Sequence, residues 1–183
     1  IATERMVDGL ATVGIVLATT PLLPESAPLW LINAGRVALI VFGADGRQVW
    51  QHPFDAPIVE YNPQQPGLFR QTWDILDIDG DGSSEVIFAR SSHADPRVYC
   101  FNSDGSVRFA ESIDTPVRFG PYACPPVMLT HVLRDARPDF PGTFLVAGHH
   151  PLNNPAVLRR LDARGRTAGE YWSSGHIGVV TSV

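Results

Sequence analysis

The chain has 183 residues, of which 44% are hydrophobic and 18% charged, and its formal net charge is −5. A chain of this length and apolar content can bury a substantial core, which argues against intrinsic disorder. Its 14 Lys and Arg residues form no cluster, so no basic patch is available for phosphates and no nucleic-acid partner is expected. Sixteen Gly and sixteen Pro residues predict strands and turns, and therefore an all-β fold.

The first apolar segment runs from Leu10 to Leu23 and reads LATVGIVLATTPLL. It is shorter than the roughly 20 apolar residues that a membrane-spanning helix needs. We therefore predict buried strands here, with a truncated membrane helix as the alternative. Residues 1–30 are assigned to an apolar, Pro-rich lead-in, and a membrane anchor ahead of it stays an open alternative.

Three later stretches share one pattern: an apolar or alternating run, a turn that ends in Gly, and a second short run whose closing aromatic is Trp50, Phe109 or Trp172. They read ALIVFGADGRQVWQ, VYCFNSDGSVRFAE and VLRRLDARGRTAGEYW. The turn glycines Gly46, Gly105 and Gly165 are spaced 59 and 60 residues apart. Gly accepts the positive φ that tight hairpin turns demand, so each stretch predicts a β-hairpin within a repeat of about sixty residues.

Each unit also has two further predicted strands, and all-β repeats of this length fit the four-stranded blades of a β-propeller. The propeller-type region is assigned to residues 31–183. It comprises a partial unit to about residue 55, full units at about 56–115 and 116–175, and the start of a next unit at 176–183. These units are too few to close a ring, so we expect an incomplete or fragmentary propeller.

The most specific motif is the acidic loop DIDGDGSSE, which runs from Asp77 to Glu85. Crowded carboxylates repel one another unless a cation lies among them. Alternating carboxylates can converge on one ion if the backbone wraps around it, and Gly82 permits such a turn. Hard oxygen ligands in this number suit Ca²⁺. The predicted ligands are the carboxylates of Asp77, Asp79, Asp81 and Glu85 and the main-chain carbonyl of Ser83.

This loop differs from an EF-hand, which needs Glu at the twelfth loop position and flanking helices. The twelfth position here is Phe88, inside a strand-like run. A loop that closes at its ninth position and leads into a strand resembles the calcium loops of FG-GAP/VCBS-type repeat proteins, which are integrin-α-like β-propeller repeats. The resemblance covers about residues 73–109. It implies that the ion stabilises one blade, and a solvated acidic turn without an ion is the alternative.

The following repeat carries a changed version of this loop. Aligned on the next strand, its ligand positions become Asp135, Arg137, Asp139 and Thr143. The arginine places a positive charge where an ion would lie. We therefore predict no calcium there, and an internal ion pair between Asp135 and Arg137 in its place.

Other reactive side chains form no recognisable catalytic signature. His149 and His150 are adjacent and point to opposite faces of a strand, so they are predicted as loop residues rather than joint metal ligands. Together with Tyr61 and His93 they are the candidates for an enzyme site. Cys100 and Cys124 lack metal or redox spacing, which leaves a disulfide and two buried thiols as alternatives.

These patterns predict a non-enzymatic, calcium-stabilised binding module whose rim loops contact a protein or carbohydrate ligand. The family resemblance implies an extracytoplasmic location, at the cell surface or in the periplasm, as a sensor or adhesion region of a larger bacterial protein. An accessory subunit of a membrane complex is a related prediction. The alternative is a propeller-fold enzyme, such as a polysaccharide lyase or hydrolase, that acts through rim-loop residues.

Overall fold

The structure is a computed structural model that describes residues 12–19, 36–43, 47–55, 72–90, 96–113, 117–124, 127–137, 139–150, 155–175 and 177. These ranges contain thirteen β-strands and no helix, which confirms the all-β prediction for the described part of the chain. The chain divides into two compact units, Ile1–Tyr61 and Asn62–Val183.

The first unit contains a three-stranded antiparallel sheet in the order β1-β2-β3. Its strands are β1 (Thr12–Thr19), β2 (Arg36–Gly43) and β3 (Gln48–Pro53). The apolar segment near the start of the chain therefore forms a strand and not a helix. This strand pairs with the first predicted hairpin, so the lead-in contributes to the same sheet.

The second unit begins with a four-stranded antiparallel sheet in the order β4-β5-β6-β7. Its strands are β4 (Trp73–Leu76), β5 (Glu85–Arg90), β6 (Arg97–Phe101) and β7 (Val107–Ser112). Every residue of β5 is buried, as expected for an inner strand covered on both faces. The acidic loop connects β4 to β5, and the second predicted hairpin is β6–β7.

A short two-stranded sheet follows, made of β8 (Val117–Phe119) and β9 (Tyr122–Cys124). The chain then forms another four-stranded antiparallel sheet in the order β10-β11-β12-β13. Its strands are β10 (Met128–Arg134), β11 (Thr143–His149), β12 (Ala156–Asp162) and β13 (Thr167–Ser173). The two predicted full units thus each contain one four-stranded sheet, but the described residues do not show a closed ring of blades.

The hairpin turns of the two four-stranded sheets have the same backbone hydrogen bonds. Gly105 N donates to Asn102 O, and Gly165 N donates to Asp162 O, both at 2.9 Å. The two glycines have φ values of 85° and 79°, where a residue with a Cβ would be strained. The predicted hairpin turns are therefore confirmed at these two positions, while Gly46 lies outside the described residues.

One apolar cluster joins the two four-stranded sheets. Ile87 and Val98 contribute from the β4–β7 sheet, and Phe144 and Val146 from the β10–β13 sheet. All four side chains are fully buried. Phe109 of β7 packs against this cluster, and its ring stacks on that of Phe144 with centroids 6.3 Å apart. Burial of such side chains contributes about 1.5–3 kcal/mol each, so the cluster holds the sheets together.

Two glycines of the second sheet allow its turns to approach the first sheet closely. A Cβ on Gly165 would lie 2.7 Å from Phe109 Cδ2, and a Cβ on Gly142 would lie 2.6 Å from the carbonyl oxygen of Ile78. Ile78 belongs to the acidic loop. Gly142, in the connection between β10 and β11, therefore lies directly against the acidic loop between β4 and β5.

Candidate metal centre

The acidic loop is folded by its own carboxylates. Asp77 Oδ1 accepts a hydrogen bond from Gly80 N at 2.7 Å, and Asp77 Oδ2 accepts one from Gly82 N at 3.0 Å. Gly80 and Gly82 both have positive φ, at 77° and 88°, which lets the backbone curl around the Asp77 side chain. The sharp turn predicted at Gly82 is therefore confirmed, and Gly80 contributes to it.

Three of the predicted ligands converge. One carboxylate oxygen each from Asp77, Asp79 and Glu85 lie within 4.8 Å of one another. Two oxygens that bind one Ca²⁺ at about 2.3–2.6 Å are at most about 5 Å apart, so this spacing fits a shared ion. The donors are also hard oxygens, which Ca²⁺ prefers. The chemistry and the spacing of these residues therefore fit a calcium ion.

The other two predicted ligands have a different place in the loop. Asp81 lies outside the group of three carboxylates, and its Oδ1 accepts a hydrogen bond from Ser83 N at 2.7 Å. This bond shapes the second half of the loop, because it ties Ser83 to the turn that precedes it. Within the described residues, the convergence thus rests on the first, third and ninth loop positions.

The three converging groups have unlike surroundings. Glu85 opens the buried strand β5, its side chain is 2% exposed, and its Oε2 accepts a hydrogen bond from Ile78 N at 3.1 Å. Burial raises the pKa of Glu85, since the charged form is poorly solvated there. Asp79 is exposed, and a hydrogen bond from Arg108 lowers its pKa.

Arg108 also contacts this group of carboxylates, although no sequence motif indicates it. It lies in β7, and its Nη2 is 2.5 Å from Asp79 Oδ2 while its Nη1 is 3.6 Å from Glu85 Oε2. A guanidinium therefore contacts two of the three converging carboxylates. The only available signal was a charged residue between Val107 and Phe109 in a hairpin, and the loop motif lies 29 residues away from it.

The corresponding loop of the second sheet is held by arginines. The Asp135 side chain is 1% exposed and accepts hydrogen bonds from Arg137 Nε at 2.8 Å and Arg137 Nη2 at 2.7 Å. This confirms the predicted internal ion pair. Arg160 of β12 adds a second ion pair, with its Nε 2.8 Å from Asp135 Oδ2. The Phe140 ring lies under Arg160, with Cζ 3.7 Å from the ring centroid.

Replacement of Asp135 by asparagine is expected to lower the free energy of unfolding by about 2 kcal/mol. The change removes a buried anion that pairs with two guanidinium groups. Breaking a fully buried pair costs about 3–5 kcal/mol. The expected cost is smaller here because Arg137 is partly exposed to solvent. Denaturant unfolding of the two chains measures this difference.

The control for this variant is Arg166→Gln, which breaks an ion pair with Asp162 whose arginine is 70% exposed. Its effect should stay below about 1 kcal/mol.

Burial raises the pKa of Asp135, but the hydrogen bonds from Arg137 outweigh this and leave the pKa lowered. The stabilisation is therefore present above the pKa of the unfolded chain and lost as the pH falls. Equal effects of the two variants at neutral pH would contradict the prediction.

A cleft of about 600 Å³ lies beside the acidic loop. It is lined by residues of that loop, by the turn before β11, and by the β12–β13 turn, namely 77–80, 141–142, 162–164 and 166. Hydrogen bonds from the Arg164 and Arg166 main-chain amides and the Arg166 side chain overcome the effect of burial and lower the pKa of Asp162. The cleft thus presents ionised carboxylates and guanidinium groups next to the candidate metal centre.

The candidates for an enzyme site are only partly described. The loop prediction is wrong for His149, which is the last residue of β11, while His150 follows the strand. Both histidines are buried, at 6% and 4% exposed. His149 Nδ1 lies 3.2 Å from the carbonyl oxygen of His150. Tyr61 and His93 lie outside the described residues.

Cys100 is a free, buried thiol, and so the disulfide alternative is not formed in the structure. Burial raises its pKa to about 12.

The fold and the site together define an all-β protein with an acidic loop between two strands that could hold a metal ion. In the described residues, no helix is long and apolar enough to cross a membrane. No protein-family model, curated protein or solved structure matches this chain.

Proposed function

We propose that this chain is a calcium-stabilised, non-enzymatic binding module made of FG-GAP/VCBS-type β-propeller blades. The observation that carries the proposal is the convergence of Asp77, Asp79 and Glu85 in a nine-residue loop between two strands. Asp81 and the Ser83 carbonyl complete the ligand set when the ion is bound. The ion supplies a fixed positive charge that ties the start of the loop to the base of β5.

The ion's role in this proposal is structural. Asp77 orders the turn and Glu85 anchors the loop to a buried strand, so a shared ion joins an exposed loop to the core. The family resemblance in the loop and the order of strands in each sheet support the assignment to propeller-type blades. Calcium at millimolar concentration outside the cell would keep such a loop occupied, which supports an extracytoplasmic location.

The cleft beside the loop is the proposed binding surface. Its carboxylates and guanidinium groups can form hydrogen bonds with a polar ligand, which suits a protein or carbohydrate partner. The lowered pKa values of Asp79 and Asp162 keep both carboxylates ionised near neutral pH. Ionised carboxylates of this kind accept hydrogen bonds from the donor groups of a ligand. The module would belong to a larger bacterial sensor or adhesin, or to an accessory subunit of a membrane complex.

Added calcium is expected to raise the thermal unfolding midpoint of the chain, and a chelator should reverse the rise. Binding to the folded state alone stabilises by about 1.4 kcal/mol at a tenfold excess of calcium over the dissociation constant. Asp79→Asn should abolish the rise, because it removes one of the converging carboxylates. Differential scanning calorimetry with calcium and with chelator measures each midpoint.

The control is Asp139→Asn, which neutralises an exposed aspartate of the neighbouring loop and leaves the three converging carboxylates intact. This variant should keep the full response to calcium. An unchanged midpoint of the wild-type chain at millimolar calcium would contradict the proposed function, since the loop would then be a solvated turn.

A further inference from the structure

The side chain of Arg108, in β7, contacts the acidic loop and places a positive charge among its carboxylates. This side chain is 26% exposed, and it contacts an Asp79 side chain that is 32% exposed and a Glu85 side chain that is 2% exposed. The Nη1 atom of Arg108 is buried and has no hydrogen-bond partner among the described residues. A buried donor without an acceptor is costly, so this position is an incomplete fit for a guanidinium.

The strand ladder explains how Arg108 reaches the loop. Cys100 pairs with Phe109 and Phe101 pairs with Val107, so Arg108 is an extra residue that the ladder of β6 and β7 skips. A bulge of this kind re-aims the side chain of the extra residue. The side chain of Arg108 is thereby directed to the acidic loop, while Phe109 keeps its place in the core.

The same bulge occurs in the other two hairpins with different side chains. The ladder of β2 and β3 skips Val49, and that of β12 and β13 skips Ala168. The three skipped positions are spaced 59 and 60 residues apart, like the turn glycines. The bulge therefore does not require an arginine. The presence of Arg108 at this position is explained by side-chain contacts and not by backbone geometry.

The acidic loop supplies these contacts, because two of the three carboxylates that could hold a metal ion are those that Arg108 contacts. A divalent ion and a guanidinium cannot both occupy these oxygens, since two cations a few ångströms apart repel strongly in a partly buried site. In the second sheet, where the skipped residue is alanine, Arg137 and Arg160 supply the positive charge to Asp135. Guanidinium groups thus neutralise carboxylates of this loop in both sheets, although at different loop positions.

We propose that Arg108 is a built-in competitor of the metal ion, which neutralises the acidic loop in the metal-free chain and leaves it when the ion binds. This inference rests on the proposed calcium site and adds its regulation. The competition lowers the apparent affinity for calcium and makes the loop respond to a higher calcium concentration. Ion binding also releases a guanidinium beside the cleft, so the charge that the cleft presents to a ligand changes with calcium.

Calcium titration of the full chain by isothermal calorimetry, for wild type and Arg108→Ala, tests this proposal. Alanine suits the bulge, because Ala168 occupies the same place in the second sheet. We expect Arg108→Ala to bind calcium about tenfold more tightly, since the binding-competent state no longer has to break a charged hydrogen bond. The metal-free variant should melt at a lower temperature than wild type, and saturating calcium should reduce this difference.

The matched control is Arg166→Ala, which removes a guanidinium that pairs with Asp162 and has no ion pair with the three converging carboxylates. It should leave the calcium dissociation constant within about twofold of wild type, because exposed charges are well screened. Arg108→Gln serves as a second variant that keeps hydrogen-bond donors without the charge. It replaces the alanine variant if that chain does not fold.

The outcomes separate the two proposals. Calcium binding by wild type with no tightening in either Arg108 variant would overturn the competition and leave the calcium site intact. Equal tightening in Arg166→Ala would also overturn it, because the effect would then be general charge. Calcium binding by the Arg108 variants and not by wild type would support the competition and would contradict calcium stabilisation of the wild-type chain. Absence of calcium binding in all these chains would overturn both the competition and the proposed function.

Discussion

Replacement of Phe144 by alanine is expected to lower the free energy of unfolding by about 3–5 kcal/mol. Phe144 is 0% exposed and belongs to the cluster that joins the two four-stranded sheets, and its ring stacks on Phe109 of the other sheet. Truncation removes the transfer free energy of a buried ring and leaves a cavity between the sheets. Because the cluster is shared, both sheets should lose stability together.

Denaturant unfolding monitored by tryptophan fluorescence and by circular dichroism measures this effect. Tyr171→Ala is the control, because Tyr171 is 62% exposed and its truncation should cost less than about 1 kcal/mol. A loss of less than about 1 kcal/mol in Phe144→Ala would contradict a shared core. Separate transitions for the two probes would show that the chain does not unfold in a single two-state step.

Replacement of Gly142 by alanine is expected to cost about 3 kcal/mol or more. Gly142 has a φ of 68°, where a residue with a Cβ is strained by about 1–2 kcal/mol. The added Cβ would also lie 2.6 Å from the carbonyl oxygen of Ile78, which is a main-chain atom and cannot rotate away. The acidic loop or the turn before β11 must therefore shift, so calcium affinity should fall as well.

Gly120→Ala is the matched control, because Gly120 has a similar φ of 60° but nothing within 4 Å of its added Cβ. Its cost should be only the backbone strain, about 1–2 kcal/mol. Thermal or denaturant unfolding of both variants gives the difference that is due to contact alone. Equal losses would contradict the close approach of the two loops.

The sequence predicted much of the fold because the signals concerned were local. Alternating apolar residues and turn glycines at Gly105 and Gly165 predict hairpins, and both hairpins are present with the expected positive φ. The spacing from Asp77 to Glu85 predicted four converging carboxylates, and three of them converge in the structure. Such patterns depend on residues a few positions apart, where backbone geometry is set by the chain itself.

The missed features depend on contacts between distant strands. Arg108 reaches Asp79 only because a bulge in the β6–β7 ladder turns its side chain to the loop. Arg160 reaches Asp135 across the second sheet, and β1 pairs with β2 across an intervening segment that ends at residue 35. Strand register and bulges are set by tertiary packing, so a single sequence does not specify which distant side chains meet.

The bulge that recurs in three hairpins gives the protein one position per hairpin whose backbone accepts different side chains. The residue there takes no part in the strand ladder, and valine, arginine and alanine occupy Val49, Arg108 and Ala168. During evolution, a single codon change at such a position can alter the charge beside a loop without disturbing the strands. Deletion of that codon would remove only the bulge, because flanking residues such as Val107 and Phe109 already pair with the adjacent residues Phe101 and Cys100 and so keep their faces of the sheet.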